Sequence, residues 1–136
     1  MSINGIISSE IKSAQDYIFD GTTVPANTTT TSDAHQVGGT QAALELVFIA
    51  KTDIVITDTK VVTLKLTGSS TVDGSYTDLV TLYTVTASGE TTVAAGTELA
   101  RYIVKPTDPM FQKGVITTDD AGIVGTLDGY IRQIHR

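Results

Sequence analysis

Apolar and polar residues alternate along most of the chain, which is the period of a half-buried β-strand. The clearest case is the segment 61–67, where every second residue from Val62 to Leu66 is apolar and the intervening ones are polar. Comparable runs recur about every ten residues and are separated by turns that contain glycine, aspartate or serine. The pattern predicts an all-β domain, a jelly-roll β-sandwich of about eight antiparallel strands.

One predicted strand is apolar on both faces. In the segment 42–50, residues of both parities are apolar, and Glu45 is the single exception. A strand with this pattern is buried on both sides, either in the middle of a sandwich or at a subunit interface. Because apolar area buried between subunits drives association, we predict that Leu46 and Val47 are interface residues. The alternative, that the strand lies in the middle of its own sandwich, stays open.

The first sixteen residues differ from the rest and predict an N-terminal arm, 1–16, ahead of a single β-sandwich domain, 17–136. Isoleucine and alanine recur in the arm at spacings of three and four, as in a short amphipathic helix, although an extended arm is also compatible. The arm is too apolar for a solvated tail, so we predict that it docks on a neighbouring subunit or partner as a strand or helix. That it folds back on its own sandwich is the alternative. The predicted contact residues are Ile3, Ile6, Ile7 and Ile11.

The amino-acid composition supports the strand prediction and excludes some classes of function. The chain has 24 Thr, 13 Val and 13 Ile among its 136 residues, and such β-branched side chains pack well on a pleated surface. It has no Cys, which excludes disulfides and thiolate chemistry. A net charge of −6 disfavours nucleic acid and anionic membranes as partners. We also expect no membrane span and no signal peptide, since no apolar stretch approaches ~20 residues and the start carries no basic segment.

The residues that metal or nucleophilic catalysis needs are sparse. His35 and His135 are the only imidazoles and lie a hundred positions apart, whereas a catalytic metal needs several ligands on one ion. No nucleophile elbow, His-Glu-x-x-His motif or phosphate loop is present. The loop around Asp73 lacks the ligand spacing of a calcium loop. We therefore expect no metal, no cofactor and no enzymatic activity.

Two uses of a β-sandwich in carbohydrate chemistry remain to be weighed. Asp119 and Asp120 are paired carboxylates, but adjacent side chains diverge, and Gly122 marks a turn, so we predict a solvated turn rather than a glycosidase pair. A sugar-stacking platform needs exposed aromatic rings, and the chain has no Trp and only eight Phe and Tyr. No small-molecule substrate is expected.

The region from Val61 to Ile134 resembles the capsid cement, or decoration, proteins of tailed bacteriophages, particularly podovirus-like ones. Three segments and the glycine-containing last strand carry the resemblance, and the Ser-Ala-Gln-Asp piece at 13–16 is similar in kind. The segments are Val62-Thr63-Leu64-Lys65-Leu66, Asp73-Gly74-Ser75-Tyr76-Thr77-Asp78-Leu79 and Ala95-Gly96-Thr97-Glu98-Leu99-Ala100-Arg101-Tyr102.

The resemblance implies a jelly roll that forms homotrimers on the outside of a capsid. It implies a non-enzymatic virion protein, made in the host cytoplasm, that clamps neighbouring major capsid proteins against internal DNA pressure. It carries no active-site motif over to this chain, and the N-terminal arm and the threonine-rich stretch at 24–32 depart from it. The alternative from the residues alone is a secreted or surface β-sandwich module that binds glycans or mediates adhesion.

Overall fold

The computed structural model describes residues 17–38 and 43–134, and its regular elements there are all β-strands. The strands are β1 (Tyr17–Thr23), β2 (Thr29–Thr31), β3 (His35–Gln36), β4 (Leu44–Ala50), β5 (Ile54–Ile56), β6 (Val61–Ser69), β7 (Thr77–Thr86), β8 (Thr91–Val93), β9 (Glu98–Ile103), β10 (Phe111–Thr118) and β11 (Thr126–Gln133). The prediction of an all-β fold is confirmed. The count of eleven exceeds eight by three, and the short strands β3, β5 and β8, of two or three residues each, account for the difference. None of the described residues forms a helix long and apolar enough to span a membrane.

Two antiparallel sheets contain most of these strands. Sheet A has the order β1-β11-β4-β9, and sheet B has the order β2-β10-β6-β7, with β3 also paired to β10. The short strands β5 and β8 pair with each other. Taken along the chain, the eight strands in these two orders pass from one sheet to the other at every step except the β6–β7 hairpin. This order is consistent with a β-sandwich.

The hydrophobic core lies between sheets A and B. Phe19 of β1 and Phe48 of β4 pack with their ring centroids 6.3 Å apart, and Leu64 of β6 is fully buried opposite them in the same core cluster. At Gly114 of β10 an added Cβ would lie 2.8 Å from Cε2 of Phe19, so even alanine there would force a neighbouring side chain to shift. The core therefore depends on glycine as well as on large apolar side chains.

The dipeptide Asp20-Gly21 is typical of a turn and predicts that the first strand ends there, but this prediction is wrong. The strand continues to Thr23, and its register with β11 shifts once on each side of Phe19. Gly21 has φ 57°, a conformation that glycine adopts without strain, and its N–H donates to Oδ1 of Asp128 at 2.7 Å. A dipeptide that predicts a turn thus forms a β-bulge, because the partner strand supplies an acceptor for its backbone.

The threonine-rich stretch 24–32 predicts a loop or an edge strand, because its proline limits strand pairing, and the structure places an edge strand there. Within it, β2 pairs with residues Val115–Thr117 of β10 and forms an edge of sheet B. Pro25, which has no N–H, precedes this short strand. The predicted arm, residues 1–16, lies outside the described residues, as does His135.

Candidate interaction surfaces

The two predicted interface residues of β4 lie inside the subunit. Leu46 is 0% exposed and belongs to the core between the sheets, and Val47, on the opposite face of the strand, is 1% exposed. A single chain buries both side chains, so in this conformation neither offers surface to a second subunit. The alternative interpretation, a strand in the middle of the sandwich, describes their positions. The other predicted contact residues, Ile3, Ile6, Ile7 and Ile11, lie outside the described residues.

A charged network crosses the outer face of sheet A, which is the face of β1, β11, β4 and β9 that points away from the core. Glu45 is 4% exposed, and its Oε1 accepts from Nε of Arg132 at 2.7 Å and from Nη1 of Arg101 at 3.3 Å. Arg101 also donates from Nη2 to Glu98 at 2.6 Å and from Nε at 3.2 Å. These hydrogen bonds from Arg101 lower the pKa of the Glu98 carboxyl. The network joins three neighbouring strands and balances two carboxylates with two guanidinium groups.

Sequence reasoning missed this network, although one signal for it was visible. Glu45 is the only charged residue in an otherwise apolar strand, and a charge at a buried position needs a paired charge or hydrogen bonds. Its partners could not be named, because Arg101 and Arg132 are 56 and 87 residues away and only strand pairing brings them together.

The outer face of sheet B carries a row of four threonines, one from each strand. Cross-strand pairing aligns Thr29 of β2, Thr117 of β10, Thr63 of β6 and Thr84 of β7. The hydroxyls of Thr29 and Thr117 lie 3.0 Å apart, and those of Thr63 and Thr84 lie 3.3 Å apart. Three of the four residues are exposed, and Thr63 is half-buried. The row forms a polar strip across the whole width of the sheet, next to the buried Val115 on the same face of β10.

Charged and aromatic groups lie beside the threonine row at one end. Lys65 pairs with Asp78 at 2.9 Å, and Nζ of Lys113 lies 4.3 Å from the centre of the Tyr76 ring. Tyr76 also donates from its hydroxyl to the carbonyl of Val72 in the β6–β7 loop. The Tyr76 side chain thus holds the loop that contains Asp73 at this end of sheet B.

The Asp119-Asp120 pair forms a turn, as predicted, but Asp120 is not solvated. Its carboxylate is buried, and it accepts hydrogen bonds from the N–H of Thr57 at 2.7 Å and of Gly122 at 2.8 Å. Asp119 is exposed and accepts from the N–H of Val61 at 2.8 Å. Burial acts to raise the pKa of Asp120, but the hydrogen bonds from Thr57 and Gly122 outweigh it, so the pKa is lowered. The two carboxylates therefore hold neighbouring loops together instead of facing a substrate.

The remaining candidates for chemistry are dispersed. Over residues 17–38 and 43–134, no three His, Asp or Glu side chains lie together as metal ligands. His35 pairs in β3 with Gln112, and burial lowers the pKa of its imidazole more than the nearby Asp33 raises it. All eight aromatic residues are described, and each is buried or half-buried.

Comparison with known proteins adds no interpretation of these surfaces. No protein-family model matches the chain, and no curated protein matches it significantly.

Proposed function

We propose that the chain is a structural virion protein that binds the outside of a phage capsid and stabilises contacts between major capsid proteins. The observation that supports this proposal is the outer face of sheet B. It is four strands wide, and strand pairing holds its threonines in one polar row that carries no charge. Such a surface suits contact with another protein better than it suits a deep ligand pocket.

The size of the face indicates how such a contact would form. Four strands at ~4.8 Å spacing and eight residues at ~3.3 Å rise cover about 500 Å². A standard protein–protein interface buries ~800 Å² per partner, so the face alone falls short of a tight contact. The β6–β7 loop at its rim, or simultaneous binding of several copies, has to contribute the rest. A capsid lattice repeats the same binding site many times, so contacts that are weak singly can act together.

A jelly-roll topology and a homotrimer are part of the same proposal. The strand orders β1-β11-β4-β9 and β2-β10-β6-β7 support the jelly roll, because these eight strands, taken along the chain, alternate between the two sheets except at the β6–β7 hairpin. The trimer rests on the family resemblance alone. Since Leu46 and Val47 are buried within one chain, a trimer would form through other surfaces, such as the exposed Ile103 on the edge strand β9.

If a major capsid protein is encoded beside this chain, as the proposal requires, sedimentation with capsids assembled from that protein tests the binding. We expect saturable co-sedimentation at a fixed stoichiometry and capsids that disassemble at a higher temperature when coated. Thr117→Glu, in the threonine row, should weaken binding at least tenfold, whereas Thr92→Glu, exposed on β8, should bind as the unchanged chain does. The absence of co-sedimentation would refute the function, and equal binding by both variants would refute the assigned face.

A glycan-binding or adhesion module is the second candidate. The described aromatic residues do not favour it, because each of them is buried or half-buried, whereas a sugar-stacking platform needs exposed rings. Saturable binding to particular glycans on an array, together with no binding to capsids, would replace the capsid proposal with this one.

A further inference from the structure

One buried hydroxyl on the outer face of sheet B has no hydrogen-bond partner. Thr67 lies on β6 two residues after Lys65 and four after Thr63, so the three side chains point to the same face of the sheet. Thr67 is 7% exposed, and its Oγ1 has no partner. Most buried polar atoms are hydrogen-bonded, because a buried donor left without an acceptor destabilises the fold. A group bound at this face would supply the missing acceptor.

A second buried side-chain atom in the described part of the chain, Oε1 of Gln112, also lacks a partner, but it belongs to the other side of the sheet. Gln112 of β10 pairs with Gly68 of β6. The next residue, Lys113, pairs with Thr67. Because successive residues of a strand point to opposite faces, Gln112 faces the core and Lys113 faces outward beside Thr67. The Thr67 hydroxyl is thus the one that lies on an outer face.

The lysine beside this hydroxyl has no ion pair. Strand pairing places Lys113 on one side of Thr67 and Asp78 of β7 on the other. Asp78 is already paired with Lys65, at 2.9 Å. Nζ of Lys113 lies 4.3 Å from the centre of the Tyr76 ring, and Lys113 forms no ion pair within the residues that the structure describes. An ammonium group and a hydroxyl donor are therefore both available to one anionic group.

We propose that Thr67 and Lys113 form a binding site for a carboxylate side chain, an aspartate or a glutamate, on the surface of a partner protein. One carboxylate oxygen pairs with the Lys113 ammonium, and the other accepts from the Thr67 hydroxyl. An open sheet face suits a side chain presented by a protein, since small molecules bind in concave sites. That the partner is a capsid protein rests on the proposed function, whereas the chemistry of the site does not.

Binding requires a side chain to move, because the Thr67 hydroxyl is covered in this conformation. Lys113 is suited to this movement, since its flexible four-carbon side chain can leave the Tyr76 ring while β10 keeps its register. The cation–π contact that it gives up is weak at a solvated site, and an ion pair with the incoming carboxylate replaces it. The hydrogen bond from Tyr76 to the carbonyl of Val72 does not involve Lys113, so the β6–β7 loop can stay in place.

Nuclear magnetic resonance of the full-length chain tests the site with N-acetylglutamate α-amide, which carries one side-chain carboxylate. We expect saturable shifts of the amide resonances of Thr67 and Lys113, and no shift with the uncharged N-acetylglutamine α-amide. Lys113→Gln should weaken binding at least tenfold, whereas Lys105→Gln, an exposed lysine after β9, should leave it unchanged. Equal shifts with the two compounds, or equal binding by the two variants, would refute the site.

Thr67→Val separates a binding role from a structural one, because valine has nearly the shape of threonine and lacks the hydroxyl. Removing a buried hydroxyl that has no partner should raise the thermal midpoint of unfolding by a few degrees, since no hydrogen bond is lost. The same change should weaken binding of N-acetylglutamate α-amide at least threefold. A lower midpoint would show that the hydroxyl is satisfied within the fold, and unchanged binding would exclude Thr67 from the site.

Co-sedimentation with capsids distinguishes a failure of this site from a failure of the proposed function. We expect Lys113→Glu to weaken capsid binding at least tenfold and Lys105→Glu to bind as the unchanged chain does. If N-acetylglutamate α-amide binds but capsids do not co-sediment with the unchanged chain, the carboxylate site is supported and the capsid function is refuted. If capsids co-sediment equally with the unchanged chain and with Lys113→Glu, the carboxylate contact is refuted and the capsid function stands.

Discussion

The carboxylate of Asp120 should be one of the largest single polar contributions to the stability of this fold. It is 1% exposed and accepts two backbone hydrogen bonds, from Thr57 at 2.7 Å and from Gly122 at 2.8 Å. A hydrogen bond to a charged group contributes ~1.5–3 kcal/mol, so removing both would cost about 3–6 kcal/mol. Water can reach the exposed donor residues once the carboxylate is gone, which favours the lower end. We expect Asp120→Ala to reduce the free energy of unfolding by about 3 kcal/mol.

Urea denaturation followed by circular dichroism measures this change directly, since the chain has no tryptophan. For a domain of this size, about 3 kcal/mol corresponds to a thermal midpoint lower by roughly 10 °C. The matched control is Asp119→Ala, the neighbouring carboxylate, which is exposed and accepts one backbone hydrogen bond, from Val61. We expect that control to lose about 1 kcal/mol.

The pH dependence follows from the lowered pKa of Asp120. Burial opposes the charged form, but the hydrogen bonds from Thr57 and Gly122, with the charge of Lys60, favour it more strongly. A carboxyl whose folded pKa is depressed stabilises the protein above its unfolded pKa, ~4, and the stabilisation is lost as the pH falls through the folded pKa. The difference between the unchanged chain and Asp120→Ala should therefore be constant from about pH 5 to 8 and shrink below about pH 4.

Two outcomes would refute this reasoning. If Asp120→Ala and Asp119→Ala lost the same free energy, burial and the second hydrogen bond would contribute nothing. If the difference between the unchanged chain and Asp120→Ala grew as the pH fell, the folded pKa would be raised rather than lowered.

Three further substitutions test the packing of the two sheets. Leu46→Glu should unfold the domain, because a buried unpaired carboxylate costs several kcal/mol, and circular dichroism measures the loss of strand structure. If light scattering instead showed a folded variant that only dissociates, the subunit-interface interpretation would be restored. Glu45→Gln should lower the free energy of unfolding by about 1–2 kcal/mol in urea denaturation, and by less when Arg132→Gln is already present. If the losses of the two single variants added up to that of the double variant, the two side chains would not interact. Gly114→Ala should lose about 1–3 kcal/mol through overpacking, and Phe19→Leu should recover part of it; the absence of recovery would place the strain elsewhere.

The strands that alternation predicts are those in which burial alone decides the conformation. In β6 every second residue from Val62 to Leu66 is buried, and the intervening side chains face outward, as the pattern indicates. The edge strand β2 was also predictable, because Pro25 and a polar run exclude a central position. In these segments the local sequence is sufficient for the prediction, because the order of apolar and polar residues shows which face of the strand is buried.

The features that sequence reasoning missed all depend on partners far away along the chain. Gly21 forms a bulge rather than a turn because Asp128 accepts its N–H from another strand. Asp120 is buried because the N–H of Thr57, 63 residues away, donates to it. The threonine row exists only through the register of four strands. Residue types restrict which of these contacts can form, but strand order and register decide which ones do.

The same dependence on register decides what each outer face presents. On sheet A, strand pairing brings Arg101 and Arg132 to Glu45 of the central strand β4. On sheet B, it aligns the four threonines of the row, three of which are exposed. A partner that binds sheet B at this row therefore meets hydroxyl groups, and a carboxylate introduced there changes the contact without entering the core. Thr117→Glu should therefore weaken capsid binding without unfolding the domain.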